Sequence, residues 1–408
     1  MRRTRFIHAA GFRLDSPYSG LRNPSAVVDE RLRAAPFEAF RNLQSLCESE
    51  APDFLLIAGG VFNLADRSIR SQLAFRDGLA AIADAGVPVY LVHGPEDPAA
   101  AWLPTIRWPE GVHVMGGRPS WYQIVKDGET IALLQGASQQ SSALPGPSAS
   151  DFLAATDSES VTIGLVSQFA PADDAGADPL ESLPELHYWA FGPEREGTKL
   201  SDPSRRILSA GPAQALSPTE TGAFGCYIIE TDEAGRARPA FVALDSVRWE
   251  NVSLDISDLT PEEVAPAARG AVMDALARSD GRDLICRLML NGDVEALPGN
   301  NDGLLDDLRE SVLFERPRVW VDRVEDLTNS AADSHGTDRV SPPLLTALHS
   351  RYESIVNNGA IGELTEAAPD THDTDADGNG DPGSASGITR DAYSLAVRRL
   401  SPAGDGLS

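Results

Sequence analysis

Residues 53–58 read Asp-Phe-Leu-Leu-Ile-Ala, and this short stretch decides the architecture. Five apolar side chains follow one another without the polar alternation of a half-exposed strand, so both faces must be buried, as in a parallel sheet covered on two sides. The flanking segments agree. Ser68 to Ala85 has helical spacing, and Gly86 stops it before the apolar run Pro88-Val89-Tyr90-Leu91-Val92. Upstream, Pro36 to Glu50 carries Phe37, Phe40, Leu43 and Leu46 at helical spacing, with Pro36 read as a first-turn proline. Before it lies the short apolar segment Arg5-Phe6-Ile7-His8-Ala9. Strand, helix, strand, helix, strand predicts a parallel α/β arrangement.

Beyond residue 100 the elements shorten. Trp121–Val125 and Thr130–Leu134 flank Asp127-Gly128, a hairpin signal. A Ser/Pro/Gly loop over 139–150 follows, then strands at Val161–Val166, Tyr188–Phe191, Arg206–Ser209 and Cys226–Glu230 without long helices between them. The expected first domain, 1–245, is therefore two facing sheets. Residues 246–327 predict a small βαβαβ unit: strand Val247–Ile256, helix Pro261–Arg278, strand Leu284–Asn291, helix Asp302–Leu313 and strand Arg318–Val324. Residues 328–362 contain a helical stretch, Pro342–Val356. Residues 363–387 form an acidic, Gly-rich linker too poor in apolar groups to order itself. Residues 388–408 hold a last amphipathic segment, Thr389–Leu400.

The 408 residues predict two or three domains at roughly 150 residues each. Lys plus Arg number 34 against 61 Asp plus Glu, a net charge of −27. Such a balance argues against a chain that wraps nucleic acid unaided, because phosphate binding is largely neutralisation by Lys and Arg. Cys47, Cys226 and Cys286 are far apart and form no CxxC pair, which excludes a disulfide scaffold and a thiolate zinc site. No apolar run reaches membrane-spanning length. The basic start MRRTRF leads straight into a strand, so no signal peptide is read and a cytoplasmic location is expected.

Six segments stand in a telling order: RFIHAAGFRLDSPYSGL (5–21), DFLLIAGGVFN (53–63), VPVYLVHGPED (87–97), VTIGLVSQF (161–169), HYWAFGPER (187–195) and ILSAGPAQALSPTETGAFGCYIIETD (207–232). Together they resemble the calcineurin-like metallophosphoesterases, and within them the SbcD-like and YhaO-like DNA double-strand-break repair exonucleases. The resemblance implies a four-layer-like α-β-β-α sandwich of two facing sheets, a small α/β capping domain and a C-terminal helical tail. It also implies a site of two metal ions, manganese in the family, held by loops at strand ends. Two cations about 3.5–4 Å apart need several carboxylate, imidazole and amide ligands.

At the positions matching those motifs the chemistry is gone. Gly11 and Arg13 stand for the Asp and His of the first motif, and Gly60 for the bridging Asp of the second. Pro95 and Glu96 stand for the Asn and His of the third, Ser167 for the lone His, and Pro193 and Arg195 for the last two histidines. Asp97 keeps the family identity, though in the family it orients a histidine rather than binding metal. No catalytic residue and no metal cofactor is expected. Manganese at a rearranged site is the alternative, with His93, Glu96 and Asp97 as a weak candidate cation cluster. Arg13 and Arg195 are candidate anion ligands, or else pair with Glu96 or Asp97. His8, inside the first strand, reads as a core histidine with a backbone partner, and Asp15 as a turn or cap residue. Residues 373–384 have the D-x-D-x-D-G outline of a calcium loop but place Ser384 where a bidentate Glu is needed, so acidic linker is the reading.

The resulting expectation is a family member without its two-metal site, acting as a scaffold or regulatory subunit of a DNA-end-processing complex. The resemblance implies an SMC-like or ABC-type ATPase partner docking on Pro342–Val356 or Thr389–Leu400, a homodimer, and DNA contacted only indirectly or weakly. A functioning manganese-dependent exonuclease or phosphoesterase with a rearranged site is the rival from the enzyme class. An interaction module unrelated to DNA is the third reading.

Overall fold

The structure is a computed structural model, and it describes residues 1–330 apart from 22–23, 66–67, 156–158, 171–179, 181–182, 194–200, 203–206, 295–300 and 314. Elements run β1 (Arg5–Ala9), α1 (Ala26–Glu50), β2 (Phe54–Ala58), α2 (Ile69–Asp84), β3 (Val89–Val92), β4 (Val112–Val114), β5 (Ser120–Lys126), β6 (Glu129–Ala137), β7 (Val161–Val166), β8 (Tyr188–Phe191) and β9 (Ser201–Asp202). They continue with β10 (Ile207–Ser209), β11 (Gly225–Thr231), β12 (Ala237–Ala243), β13 (Val247–Asp255), α3 (Pro261–Ala277), β14 (Asp283–Asn291), β15 (Asp293–Val294), α4 (Asn301–Ser311), β16 (Val319–Asp326) and β17 (Asn329–Ser330).

Two six-stranded sheets result, ordered β12-β11-β1-β2-β3-β4 and β5-β6-β7-β8-β10-β9. β1, β2, β3 and β4 run parallel, as do β6, β7, β8 and β10. The pleat sorts each central strand onto two cores. Ile7, Leu55, Ile57 and Leu91 face Phe40, Leu43, Phe75 and Leu79 of α1 and α2. Phe6, Phe54, Leu56 and Tyr90 meet Leu134, Ile163, Leu165 and Tyr188 between the sheets. This double burial is what the unbroken apolar run at 54–58 predicts, and all five of its residues are buried. On the far face of the second sheet, Phe152, Phe169 and Leu186 cover Trp189 and Phe191, with a 3₁₀ turn at Ala149–Asp151. The mixed α/β sandwich is the expected fold class. A three-stranded sheet, β13-β14-β16, accompanies α3 and α4.

Local signals place several elements to the residue. Ser68 caps α2 by accepting from the Ser71 amide, and Ala85 ends it. Asp127 and Gly128 sit at φ 54° and 79° between β5 and β6, the left-handed pair a two-residue hairpin turn needs. α1 departs from expectation. It begins at Ala26, capped by Ser25, so Pro36 lies in its interior rather than its first turn. Val28 and Leu32 extend the buried stripe a further two turns, packing against Val247, Trp249 and Ile285. That burial outweighs the one hydrogen bond a proline removes. The edge strand β12 is also missing from the sequence reading, because only its pairing with β11 orders it.

By internal packing the chain divides into two compact units. Of the described residues, one comprises Met1–Val252, Ala265–Leu288 and Asp302–Val324; the other Ser253–Val264, Met289–Asn301 and 325–330. The stretches Pro342–Val356, 363–387 and Thr389–Leu400 lie outside the described residues, as does the calcium-loop outline.

Candidate functional site

In open α/β sheets, ligands bind beyond the carboxyl ends of the parallel strands. Five loops leave such ends here, after β1, β2, β3, β7 and β8, and carry Gly11, Gly60, Gly94, Ser167 and Pro193 respectively. They do converge, but on filled space. A Cβ placed on Gly60 would lie 2.7 Å from Pro193 Cγ and 3.0 Å from the Gly11 Cα. A Cβ on Gly11 would lie 2.8 Å from both Pro193 Cβ and the Pro212 Cα. Both glycines have positive φ, 62° at Gly11 and 69° at Gly60, a conformation that side chains adopt only under strain. Ser167 Oγ is wedged alongside, 2.5 Å from a Cβ built on Gly94 and 2.6 Å from one built on Gly192.

The loops are stitched by backbone bonds. The Gly11, Arg13 and Leu14 amides donate to the carbonyls of Gly59, Gly60 and Val61 at 2.9, 3.0 and 2.9 Å. The Gly192 amide donates to Ser167 at 3.0 Å, and that of Ala213 to Gly11 at 3.2 Å.

Asp97 sits beneath this seam, wholly buried. Its Oδ1 accepts from the amides of Gly60 and Gly94, both at 2.9 Å, and its Oδ2 from Val61 at 3.0 Å. Burial pushes its carboxyl up to about 7, although the three amides favour the charged form. The turn that carries Asp97 is held by Trp102, whose indole N–H donates to the Asp97 carbonyl at 3.1 Å.

The other residues singled out by sequence are dispersed or otherwise engaged. Arg13 is not paired with Glu96 or Asp97. Its guanidinium forms a two-pronged pair with Glu220, Nη1 to Oε1 at 2.6 Å and Nη2 to Oε2 at 3.0 Å, and also donates to the Gln214 carbonyl at 2.6 Å. Asp97 is fully committed to amides, and Arg13, itself at φ 47°, reaches the 214–220 loop instead. Glu220 went unrecognised in the sequence. Its Ser217-x-x-Glu220 spacing signals a turn, which forms, but nothing local names Arg13 across 207 residues.

Asp15, read as a local turn or cap residue, instead ties two loops together: its oxygens accept from the amides of Asn63 and of Ser68, the residue that caps α2. His8 is completely buried, and its Nε2 faces the Phe191 carbonyl at 2.9 Å. His93 lies under Trp102, with ring centroids 5.2 Å apart. Burial pushes both histidines down to about 4, so both are neutral. Pro95 is exposed and Glu96 half-buried. Arg195 lies outside the described residues. Among the described residues, no three His, Cys, Asp or Glu side chains are placed to hold a metal ion. Again among the described residues, no helix is long and apolar enough to cross a membrane.

Residues 249–329 match the family model for the middle domain of metallophosphoesterase YhaO. Over 351 residues, 82% of this chain and 84% of its relative, the sequence is 29% identical to the uncharacterized metallophosphoesterase YhaO of Bacillus subtilis (strain 168). Both findings support the metallophosphoesterase family. The matched 249–329 segment spans α3, β14, α4 and β16, the part read from sequence as a capping unit.

Among the described residues, the side chains at these strand ends do not fit the pair of metal ions that a metallophosphoesterase site would hold. Glycine and proline offer no ligand atoms beyond the backbone. The carbonyls of Gly59 and Gly60 are spent on the first loop, and Pro193 fills the space a Gly60 side chain would need. Asp97, a fully buried carboxylate in the seam, turns both oxygens to backbone amides.

Proposed function

We propose that this chain is a metallophosphoesterase-fold protein without two-metal phosphodiester chemistry, working as a scaffold or regulatory subunit of a DNA-end-processing complex built around an SMC-like ATPase. The observation that supports the reading is the close approach of Pro193 to Gly60, where a Cβ on residue 60 would lie 2.7 Å from the Pro193 ring, leaving a bridging carboxylate no room at that position. Two-metal hydrolysis works by clamping the attacking and leaving oxygens between cations. A chain that cannot hold the cations keeps only the surface and shape of its fold. The partner supplies the positive charge that a chain of net charge −27 lacks for phosphate. The test is metal analysis of the purified protein beside a nuclease assay on linear duplex and hairpin-ended DNA, with and without manganese. The expected result is no stoichiometric metal and no cleavage above a no-protein control. Co-purification with a coiled-coil ATPase tests the scaffold role. Two bound ions, or manganese-dependent cleavage, would establish instead an exonuclease with a rearranged site.

A further inference from the structure

A guanidinium and a backbone N–H directed at one place bind oxyanions, because both are strong donors and the guanidinium fork matches two oxygens at once. Arg13 and Leu216 provide such a pair. Arg13, on the loop leaving β1, gives Nη1 and Nη2 to the Glu220 carboxylate at 2.6 and 3.0 Å. The Leu216 amide donates to Oε2 of the same carboxylate at 2.6 Å. Three donors from two separate loops converge on one anionic group.

These donors are anchored without help from that group. Arg13 Nη2 also donates to the Gln214 carbonyl at 2.6 Å, and the Gln214 side chain is itself fixed by the Ser246 amide and the Val247 carbonyl. Leu216 is held through its carbonyl, which accepts from the Ser19 amide at 2.9 Å. Pro218 is seated against Gly20, where a Cβ would lie 2.7 Å from the proline Cδ. Glu220 comes in beside the exposed Thr219, from a turn closed by its amide on the Ser217 carbonyl. Rotation of this one side chain empties the cradle and leaves its donors in place. Nor do the acceptors at hand saturate the guanidinium: among the described residues, buried Arg13 Nε has none.

We infer that Arg13 and the Leu216 amide form an oxyanion site for a phosphate group, plugged by the chain's own Glu220 carboxylate and opened when that side chain turns out. The inference goes beyond the scaffold reading and does not rest on it, since manganese-dependent cleavage would leave it standing. A carboxylate tethered four residues from Leu216 competes at high effective concentration, so the resting chain keeps the site shut. Phosphate presents the same pair of oxygens to the fork with a greater charge.

Thermal melts of the full chain in millimolar sodium phosphate, against sodium chloride at matched ionic strength, test this. Wild-type protein should melt at the same temperature in both. E220A, which removes the plug, should melt about 2–4 °C higher in phosphate, by mass action on a site present only in the folded state. In R13M/E220A that rise should vanish. Equal melting of E220A in the two salts, or a rise in wild type or R13M/E220A as large as in E220A, would overturn the inference. E220Q keeps the side-chain volume without the charge and takes the place of E220A if that variant does not fold. Because the donors are anchored independently, failure of both variants to fold even in phosphate also refutes it. Thymidine 5′-monophosphate beside thymidine separates the sources of the ligand. A rise with the nucleotide but not the nucleoside assigns the site to phosphorylated termini, and a rise with inorganic phosphate alone assigns it to the free ion.

Discussion

His8 of the first sheet and Tyr188 of the second meet across the sandwich, imidazole Nδ1 to phenol oxygen at 2.8 Å. The imidazole N–H at Nε2 donates to the Phe191 carbonyl, so Nδ1 is left as acceptor and the tyrosine hydroxyl donates to it. Both side chains are buried, and together with the Nε2 bond to Phe191 the imidazole ties the first sheet to the second at two points. Y188F strands the imidazole nitrogen and should cost about 1–3 kcal/mol of stability in urea unfolding. A variant as stable as wild type would mean that the bond fixes nothing.

The pH dependence of stability follows from three buried groups. His8 and His93 are pushed down to about 4, so between about 6.5 and 4 the unfolded chain binds protons that the folded chain refuses. Their contribution is present above that window and is lost as pH falls through it. Asp97, pushed up to about 7, acts in the opposite sense: its proton binds more tightly in the fold, so its contribution grows as pH falls from about 7 toward 4. Two histidines against one carboxylate leave a net loss of stability in acid. H93F should flatten the fall in urea midpoint between pH 7.5 and 4.5, and D97N should steepen it. An H93F profile parallel to wild type would exclude His93 from the effect.

Adding a carboxylate at position 60 should not create a cation site. G60D places a side chain at φ 69° and within 2.7 Å of Pro193 Cγ. The strain and overlap should cost about 2–4 kcal/mol. Titration calorimetry with manganese chloride should show no binding to G60D. Micromolar affinity for this single variant would mean that the strand ends can still open to a cation.

The pair Arg13–Glu220 is largely shielded, with side chains 12% and 16% exposed, and is held by two bonds, at 2.6 and 3.0 Å. Removing Glu220 alone should therefore cost more than removing both partners, since a shielded guanidinium is then left without its counter-charge. A double-mutant cycle with R13M and E220L should give a coupling of about 1–3 kcal/mol, little changed by salt. Coupling near zero would make the pair incidental and leave Arg13 available to an external anion.

Much of this molecule is written locally. The unbroken run Phe54–Ala58 announces a doubly covered strand, Ser68 and Gly86 bracket α2, and Asp127-Gly128 turns β5 into β6, each by rules acting within a few residues. The true start of α1 was hidden because Pro36 imitates a first-turn residue. The ten residues before it are helical by virtue of a stripe that packs on Trp249 and Ile285, more than two hundred positions away. That the side chains of Gly11, Gly60, Pro95 and Pro193 offer no ligand atom is equally legible, since residue identity alone decides it.

What residue identity cannot decide is whether the five strand-end loops enclose a hollow or close on one another. Glycine and proline are compatible with an open hollow as well as with a sealed joint, and the choice depends on distances between chain positions up to about two hundred residues apart. Only the assembled sandwich brings Pro193 onto Gly60, turns Asp97 toward three amides and gives Arg13 to Glu220. Order along the chain sets what each loop can offer; packing of two sheets sets which offers meet, because close contact and hydrogen bonding act over a few ångströms of space and are blind to separation in sequence.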